Sequence, residues 1–426
     1  MAFLNRASIL YLFLTTSLVV SCSPSEEQSV TIAMIPDTQQ YIDYTLQTSE
    51  GFAIDSAELF ITQMQYIADK SRSNGGNIDF VASVGDVWQH VMRDNDPAHV
   101  SRGLLPQLEH PAIDRFVNPQ ETEGFEIPKA IEGYKIIEQA GIPFGVAPGN
   151  HDYDAWWAMR DPASSEDATP IAILHVGGFT NFKRVFGSES EFFRNKDWYV
   201  SSFDGGSSGA QLFSAGGYRF LHLTFEMQAG DAVLSWAQSV LDTYPDLPAI
   251  ITTHDYLSAR GERETRRSMN LALMDPGYNN SAEFIWQNFI SKNDQILMVL
   301  SGHQAGQALR IDENDAGHKV IQILADYQIR GQAALDAGQS LSPNGGITGV
   351  GDGWYRELTF FLGGDEPRLQ VRTYSTHYDA YSEDVESYAQ WYREREQPQM
   401  TDEAFFSAED FTVSLPDFYQ RFGMPN

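Results

Sequence analysis

The stretch Ile142-Pro-Phe-Gly-Val-Ala-Pro-Gly-Asn-His-Asp152 decides how this chain of 426 residues is read. Residues 142–147 are strand-like, and they lead into Gly149-Asn150-His151-Asp152. The same pattern, an apolar run that ends in a polar cluster, occurs elsewhere. VTIAMIP at 30–36 leads to Asp37-Thr38-Gln39, and IDFVASV at 78–84 leads to Gly85-Asp86. The runs at 248–253 and 295–301 lead to Thr253-His254 and Gly302-His303. Asp and Gly are ordinary turn formers, so one such cluster carries little information. Five in succession place carboxylate, amide and imidazole groups where strands turn into loops. Groups outside the carboxyl ends of sheet strands converge on one crevice. These side chains are the oxygen and nitrogen donors suited to Mn, Fe or Zn.

Helix-length segments separate the strands. Residues 55–70 carry Leu59, Met64 and Ile67 at helical positions, and 128–140, 230–243 and 280–290 read as further helices. Residues 209–226 read as two strands around Gly216-Gly217, and 318–325, 355–362 and 367–374 as late strands. Alternating helices and strands imply a layered α/β core, with the late strands forming the second half of a two-sheet sandwich. The main domain covers 30–378, with weakly periodic insertions at about 91–127 and 155–208. Trp156, Trp157, Phe182, Phe186, Trp198 and Tyr199 lie in the second insertion. They either pack it onto the core or line a substrate cleft. Residues 379–426 form an acidic, aromatic-containing extension, read as a helical cap.

Asp and Glu number 58 against 28 Lys and Arg, a formal net charge of −30. That balance disfavours a nucleic-acid polymer as partner, because a phosphate backbone would be repelled. A small phosphorylated substrate remains compatible, since a bound metal reverses the local field. A single cysteine excludes an intrachain disulfide framework. Arg6 followed by ILYLFLTTSLVV at 9–20 reads as a signal peptide over 1–21. The segment Val19-Val-Ser-Cys22 resembles a bacterial lipobox, which implies lipidation of Cys22 and a tether over 22–29. The expected location is therefore the bacterial cell envelope, as a lipoprotein, or otherwise the periplasm or the exterior. The membrane is then a partner through the lipid alone, and no protein partner is implied.

The order Asp37, Gly85-Asp86, Gly149-Asn150-His151-Asp152, His254, Gly302-His303 resembles the calcineurin-like metallophosphoesterase superfamily over residues 30–305. Pro36-Asp-Thr-Gln39, ILADYQ at 323–328 and GVGDGWYR at 349–356 are similar to a secreted bacterial branch. The resemblance implies a four-layer α/β/β/α sandwich of two mixed sheets flanked by helices. It also implies two divalent or trivalent ions, Mn, Fe or Zn. Carried over by position, Asp86 bridges the ions, Asn150, His254 and His303 complete the second site, and Asp37 binds the first. The family has His two residues after its first Asp, where this chain has Gln39. The family's last motif is GHxH, and here the final position is Ala305. The first site is thus expected to be depleted. Three readings follow: a harder ion held by Gln39 and water, one tight and one labile ion, or an inactive binding protein.

The implied activity is hydrolysis of a small phosphomonoester or phosphodiester, with attack by metal-bound hydroxide. His151 would protonate the leaving group or stabilise phosphoryl oxygens, and Asp152 would either orient its ring or cap the loop. The alternative function is a catalytically weak or inactive metal-dependent surface lipoprotein. Tyr327, Gln328, Asp352 and Arg356 are pocket candidates by resemblance alone. Arg219 and Arg330 could meet phosphate or serve the surface. His90 faces the pocket or the surface, His222 is structural, and His110, His175, His318 and His377 lack motif support.

Overall fold

Parallel strand pairs need crossovers of a dozen or more residues, and the helix-length segments between the apolar runs supply them. The computed structural model describes residues 28–424 except 95, 105–110, 160–172, 265–268, 274 and 276. The expected leader, Cys22 and nearly all of the tether lie outside the described residues, as does His110. Among the described residues no helix is long and apolar enough to cross a membrane.

The first sheet runs in the order Ala380–Tyr381, Arg368–Ser375, Trp354–Phe361, Ser29–Ile35, Ile78–Ser83, Phe144–Val146. Ser29–Ile35 pairs parallel with Ile78–Ser83 and antiparallel with Trp354–Phe361. The second sheet runs Gly306–Glu313, Lys319–Asp326, Ile296–Ser301, Ala249–Thr252, Tyr218–Thr224, Ser208–Ala215, Tyr199–Phe203. Its central pairs are parallel and its margins antiparallel, so both sheets are mixed.

Strand alternation decides which side chain enters which layer. Val30, Ile32 and Met34 point between the sheets, where Phe80 and Val84 meet Phe220, Ile250, Met298 and Ile323. Ala33 and Ile35 point outward and pack with Val81 and Phe144 under helices Ser56–Asp69 and Ile127–Gln139. On the far side, Leu221, Ile251 and Val299 lie under helix Asp231–Thr243 and the segment around Phe289. The result is a four-layer α/β/β/α sandwich. Burial of a large side chain such as Phe80 stabilises it by about 1.5–3 kcal/mol.

Several elements differ from the sequence reading. Tyr199–Phe203 is an edge strand of the second sheet, although it falls within the expected insertion at 155–208. Its Val200 and Phe203 flank two adjacent serines and are only half-buried, so its apolar signal is weak. Phe182 and Phe186 pack in the layer between the first sheet and its helices, as core rather than cleft lining, and the half-buried Trp198 packs against the same cluster. Gly306–Glu313 is also a strand, an edge whose Arg310, Asp312 and Glu313 masked its pattern. The 379–426 extension is more than a helical cap. Phe411–Ser414 pairs with Arg368–Ser375, and Tyr388, Phe405 and Phe418 enter the core between the sheets.

Candidate metal centre

All five polar clusters sit beyond the carboxyl ends of parallel strands, three on the first sheet and two on the second. Face-to-face packing of the sheets brings those ends together. Asp37 follows Ser29–Ile35 and accepts from the His303 backbone N–H at 3.2 Å to each carboxylate oxygen, which ties the first loop to the last. Asp86 Oδ1 accepts from the His151 N–H at 2.8 Å and lies 3.2 Å from His254 Nε2. Asn150 Oδ1 is 3.3 Å from the same nitrogen, and Asp37 Oδ2 is 4.0 Å from it.

The glycines of the motifs make room for these carboxylates. A Cβ on Gly149 would lie 2.2 Å from Asp86 Oδ1, and one on Gly302 would lie 2.1 Å from Asp37 Oδ1. Asp86 and His303 adopt positive φ angles of 52° and 68°. Each such conformation in a residue with a side chain costs about 1–3 kcal/mol and is retained where the surroundings enforce it.

The chemistry of the donors fits a cation. His254 Nδ1 lies 2.9 Å from the Val84 carbonyl, so that nitrogen carries the proton and donates it. In the neutral ring Nε2 is then a lone-pair acceptor that faces oxygens of Asp86 and Asn150. Three acceptors converge with no donor among them, which requires a proton or a metal ion. With no cation bound, burial opposes the His254 charge, yet Asp86 and Asp37 overcome it and push the ring up to about 10. Burial raises the Asp37 carboxyl well above its usual range, and the neighbouring Asp326 adds to the shift. Burial also disfavours the Asp86 charge, but His254 and His151 hold its carboxyl below the usual range. Ligand atoms of Asp86, His254 and His303 lie within 4.8 Å of one another, close enough to share an ion. These buried Asp and His groups can hold a metal ion.

Gln39 reaches the same place. Its Nε2 donates to Asp86 Oδ2 at 3.1 Å and to Gln328 Oε1 at 2.6 Å, and its buried Oε1 has no partner among the described residues. His151 Nδ1 donates to the Gln89 carbonyl at 2.7 Å, which leaves Nε2 3.8 Å from Asp86 Oδ2. Trp156 and Phe116 pack edge-on against the ring. Burial holds His151 below the ordinary imidazole range. The ring lines a cleft of about 450 Å³ together with Gln89, His90, Arg115, Phe116 and Gln328.

Asp152 does not orient that ring. Its two carboxylate oxygens accept from the Val87 and Gly149 N–H groups at 2.8 Å each, so it clamps the Asp86 and Asn150 loops together. The Gln89 carbonyl, which sequence reading missed, does the orienting. Of the pocket candidates taken from resemblance, only Gln328 reaches the centre, through Asp37 Oδ2 at 3.4 Å. Asp352 accepts from the N–H groups of Gln332 and Ala333. Arg330 and Arg356 are fully buried and pair with Glu409, and Tyr327 donates to that same carboxylate. Arg219 lines a separate cavity of about 470 Å³ at the amino ends of the strands. His90 faces the cleft, paired with Glu126 at 2.7 Å. His222 lies between Gln211 and Thr252, and burial pushes it down to about 3.

The fold and centre define a class: an α/β sandwich with a buried Asp/His group suited to a metal ion. No family model matches the chain. Over 248 residues, 57% of this chain, it is 27% identical to the uncharacterized protein YvnB of Bacillus subtilis (strain 168), and the match covers 15% of that protein's length.

Proposed function

We propose that this protein is a metal-dependent hydrolase of phosphate esters, acting on a small phosphomonoester or phosphodiester. The convergence of Asp86, Asn150 and His254 acceptor atoms at one point carries this reading. Asp86, Asn150, His254 and His303 would hold one ion, and Asp37, Gln39 and Asp86 a second. Bound ions of this kind neutralise phosphoryl charge and acidify water near neutral pH.

The chain's own residues do the rest. Hydrogen bonding to Gln89 keeps one proton on His151 Nδ1, so the transferable proton is the second one, carried on Nε2 in the imidazolium form that the neighbouring Asp86 carboxylate favours against burial. Once Nε2 has donated to a leaving oxygen, the neutral ring retains its bond to Gln89. Trp156 and Phe116 shield the ring from bulk water and keep it aimed at the cleft. Gln39 and Ala305, where imidazoles would strengthen an ion, favour a second reading: a catalytically weak or inactive binding lipoprotein. Export and lipid attachment at Cys22 belong to both readings. Turnover of nitrophenyl phosphate and bis(nitrophenyl) phosphate in added Mn, Fe or Zn separates them. Metal-dependent hydrolysis of either ester supports the enzyme. Full metal loading with no turnover of both supports the binding protein.

A further inference from the structure

We infer that Asp326 takes the place of the missing imidazole and gives the first ion site an all-oxygen ligand set. This rests on the metal-centre reading above and concerns which ion each half accepts.

Asp326 follows the same rule as the other ligands. It ends the strand Lys319–Asp326, which runs parallel to Ile296–Ser301, the strand that delivers His303. It is fully buried. Across the antiparallel ladder its register partner is Gly306, the residue directly after Ala305. A carboxylate therefore stands beside the position whose own side chain cannot donate.

The hydrogen bonds lead to the same volume. Gln328 Nε2 donates to Asp326 Oδ2 at 3.0 Å and to Asp37 Oδ2 at 3.4 Å. Gln328 Oε1 in turn accepts from Gln39 Nε2, which also donates to Asp86. Three carboxylates are thus joined through amide N–H groups that stand in for a cation. Gln39 Oε1 is the independent sign of a ligand, since this buried oxygen has no partner among the described residues. A half-turn of both the Gln39 and Gln328 amides exchanges their oxygens and nitrogens, which keeps an N–H···O bond between them and places the Gln39 oxygen beside Asp86 as a donor to an ion.

The first site then comprises Asp37, Gln39, Asp86 and Asp326, all oxygen donors. The second comprises Asp86, Asn150, His254 and His303, half of them imidazole. Oxygen sets suit hard ions such as Mg and Mn, and imidazole suits Zn and Fe. The two halves should therefore load different metals: Mn or Mg in the first, Zn or Fe in the second.

The test uses metal-free full-length protein, loaded with one equivalent of Zn and titrated with Mn, with free Mn read by electron paramagnetic resonance. The wild type should hold one Zn and then one Mn. Asp326→Asn preserves an oxygen to accept from the Gln328 N–H but removes the charge. It should keep Zn affinity unchanged and weaken Mn at least tenfold. Equal Mn affinity in the variant and the wild type overturns the inference while leaving the metal centre standing. A wild type that binds neither ion overturns both. Should Asp326→Asn fail to fold, Ala305→His serves independently. A new imidazole beside Asp326 should shift the first site from Mn towards Zn, and no shift counts against the assignment.

Discussion

His151 sits beside Asn150, a proposed ligand, yet its ring contacts place it toward the cleft. A good leaving group such as nitrophenolate departs without a proton, whereas an alkoxide needs one. His151→Gln keeps bulk and polarity but removes the acid, and its metal content should be unchanged. Positioned acid catalysis is worth about 10²- to 10⁴-fold. The loss in kcat should approach that range for alkyl phosphates and be small for nitrophenyl phosphates. Equal loss across leaving groups would instead point to charge stabilisation by the ring. The residues that converge on the centre were legible in the sequence because each follows an apolar run, a pattern set by strand ends. Side-chain partners were not, because spacing does not say what an oxygen touches. Asp152 therefore read equally well as a ring-orienting group and as a loop clamp. Asp326 lies in ILADYQ, which was read for its resemblance alone, because its place opposite Gly306 depends on a strand pairing that spacing does not give.

At the scale of elements, helices Ser56–Asp69 and Ile127–Gln139 approach closely at Gly133. A Cβ there would lie 2.3 Å from Phe60 Cε1, and Phe60 is fully buried. Gly133→Ala would gain about 1 kcal/mol of helix propensity and incur overpacking of about 1–3 kcal/mol. The contact is short enough that overpacking should win, and urea unfolding should show a lower midpoint with the same slope. The C-terminal extension offers a second case. Glu409 is buried, and although burial opposes its charge, Arg330 and Arg356 hold its carboxyl down at about 2 against an ordinary 4.5. A depressed carboxylate stabilises fully above 4.5, and that contribution is lost as pH falls towards 2. Glu409→Gln leaves buried Arg356 without this carboxylate and Arg330 with Glu396 alone, and should cost about 3–5 kcal/mol at neutral pH. The gap between the two proteins should narrow between pH 4.5 and 2, and a constant gap would show that Glu409 does not titrate there. This tail read as an acidic, aromatic-containing helical cap because the arginines its buried carboxylates neutralise are distant in sequence. The edge strands were hidden for a related reason, since half-exposed strands carry polar residues on their open face.

The whole molecule carries a net charge of −30, concentrated enough to repel polyanions. The layered α/β core was legible from alternating apolar runs and helix-length segments, but the late strands Trp354–Phe361 and Arg368–Ser375 join the first sheet beside Ser29–Ile35 rather than a second half, because sheet order depends on contacts between distant strands. Export is an expectation from residues 1–22, and intact mass of membrane-extracted protein checks it. The mature chain should begin at a lipid-modified Cys22, and a soluble chain without added lipid would contradict this. The central claim is that Asp86 binds metal in order to hydrolyse phosphate esters. It is tested most directly by measuring metal content and ester turnover in the same preparations of wild type and Asp86→Asn. The wild type should carry bound metal, and its turnover should vanish on chelation and return on reloading. Asp86→Asn should lose metal and turnover together while remaining folded. Turnover that survives in metal-free wild type, or a fully loaded wild type inert towards every ester offered, would contradict the account.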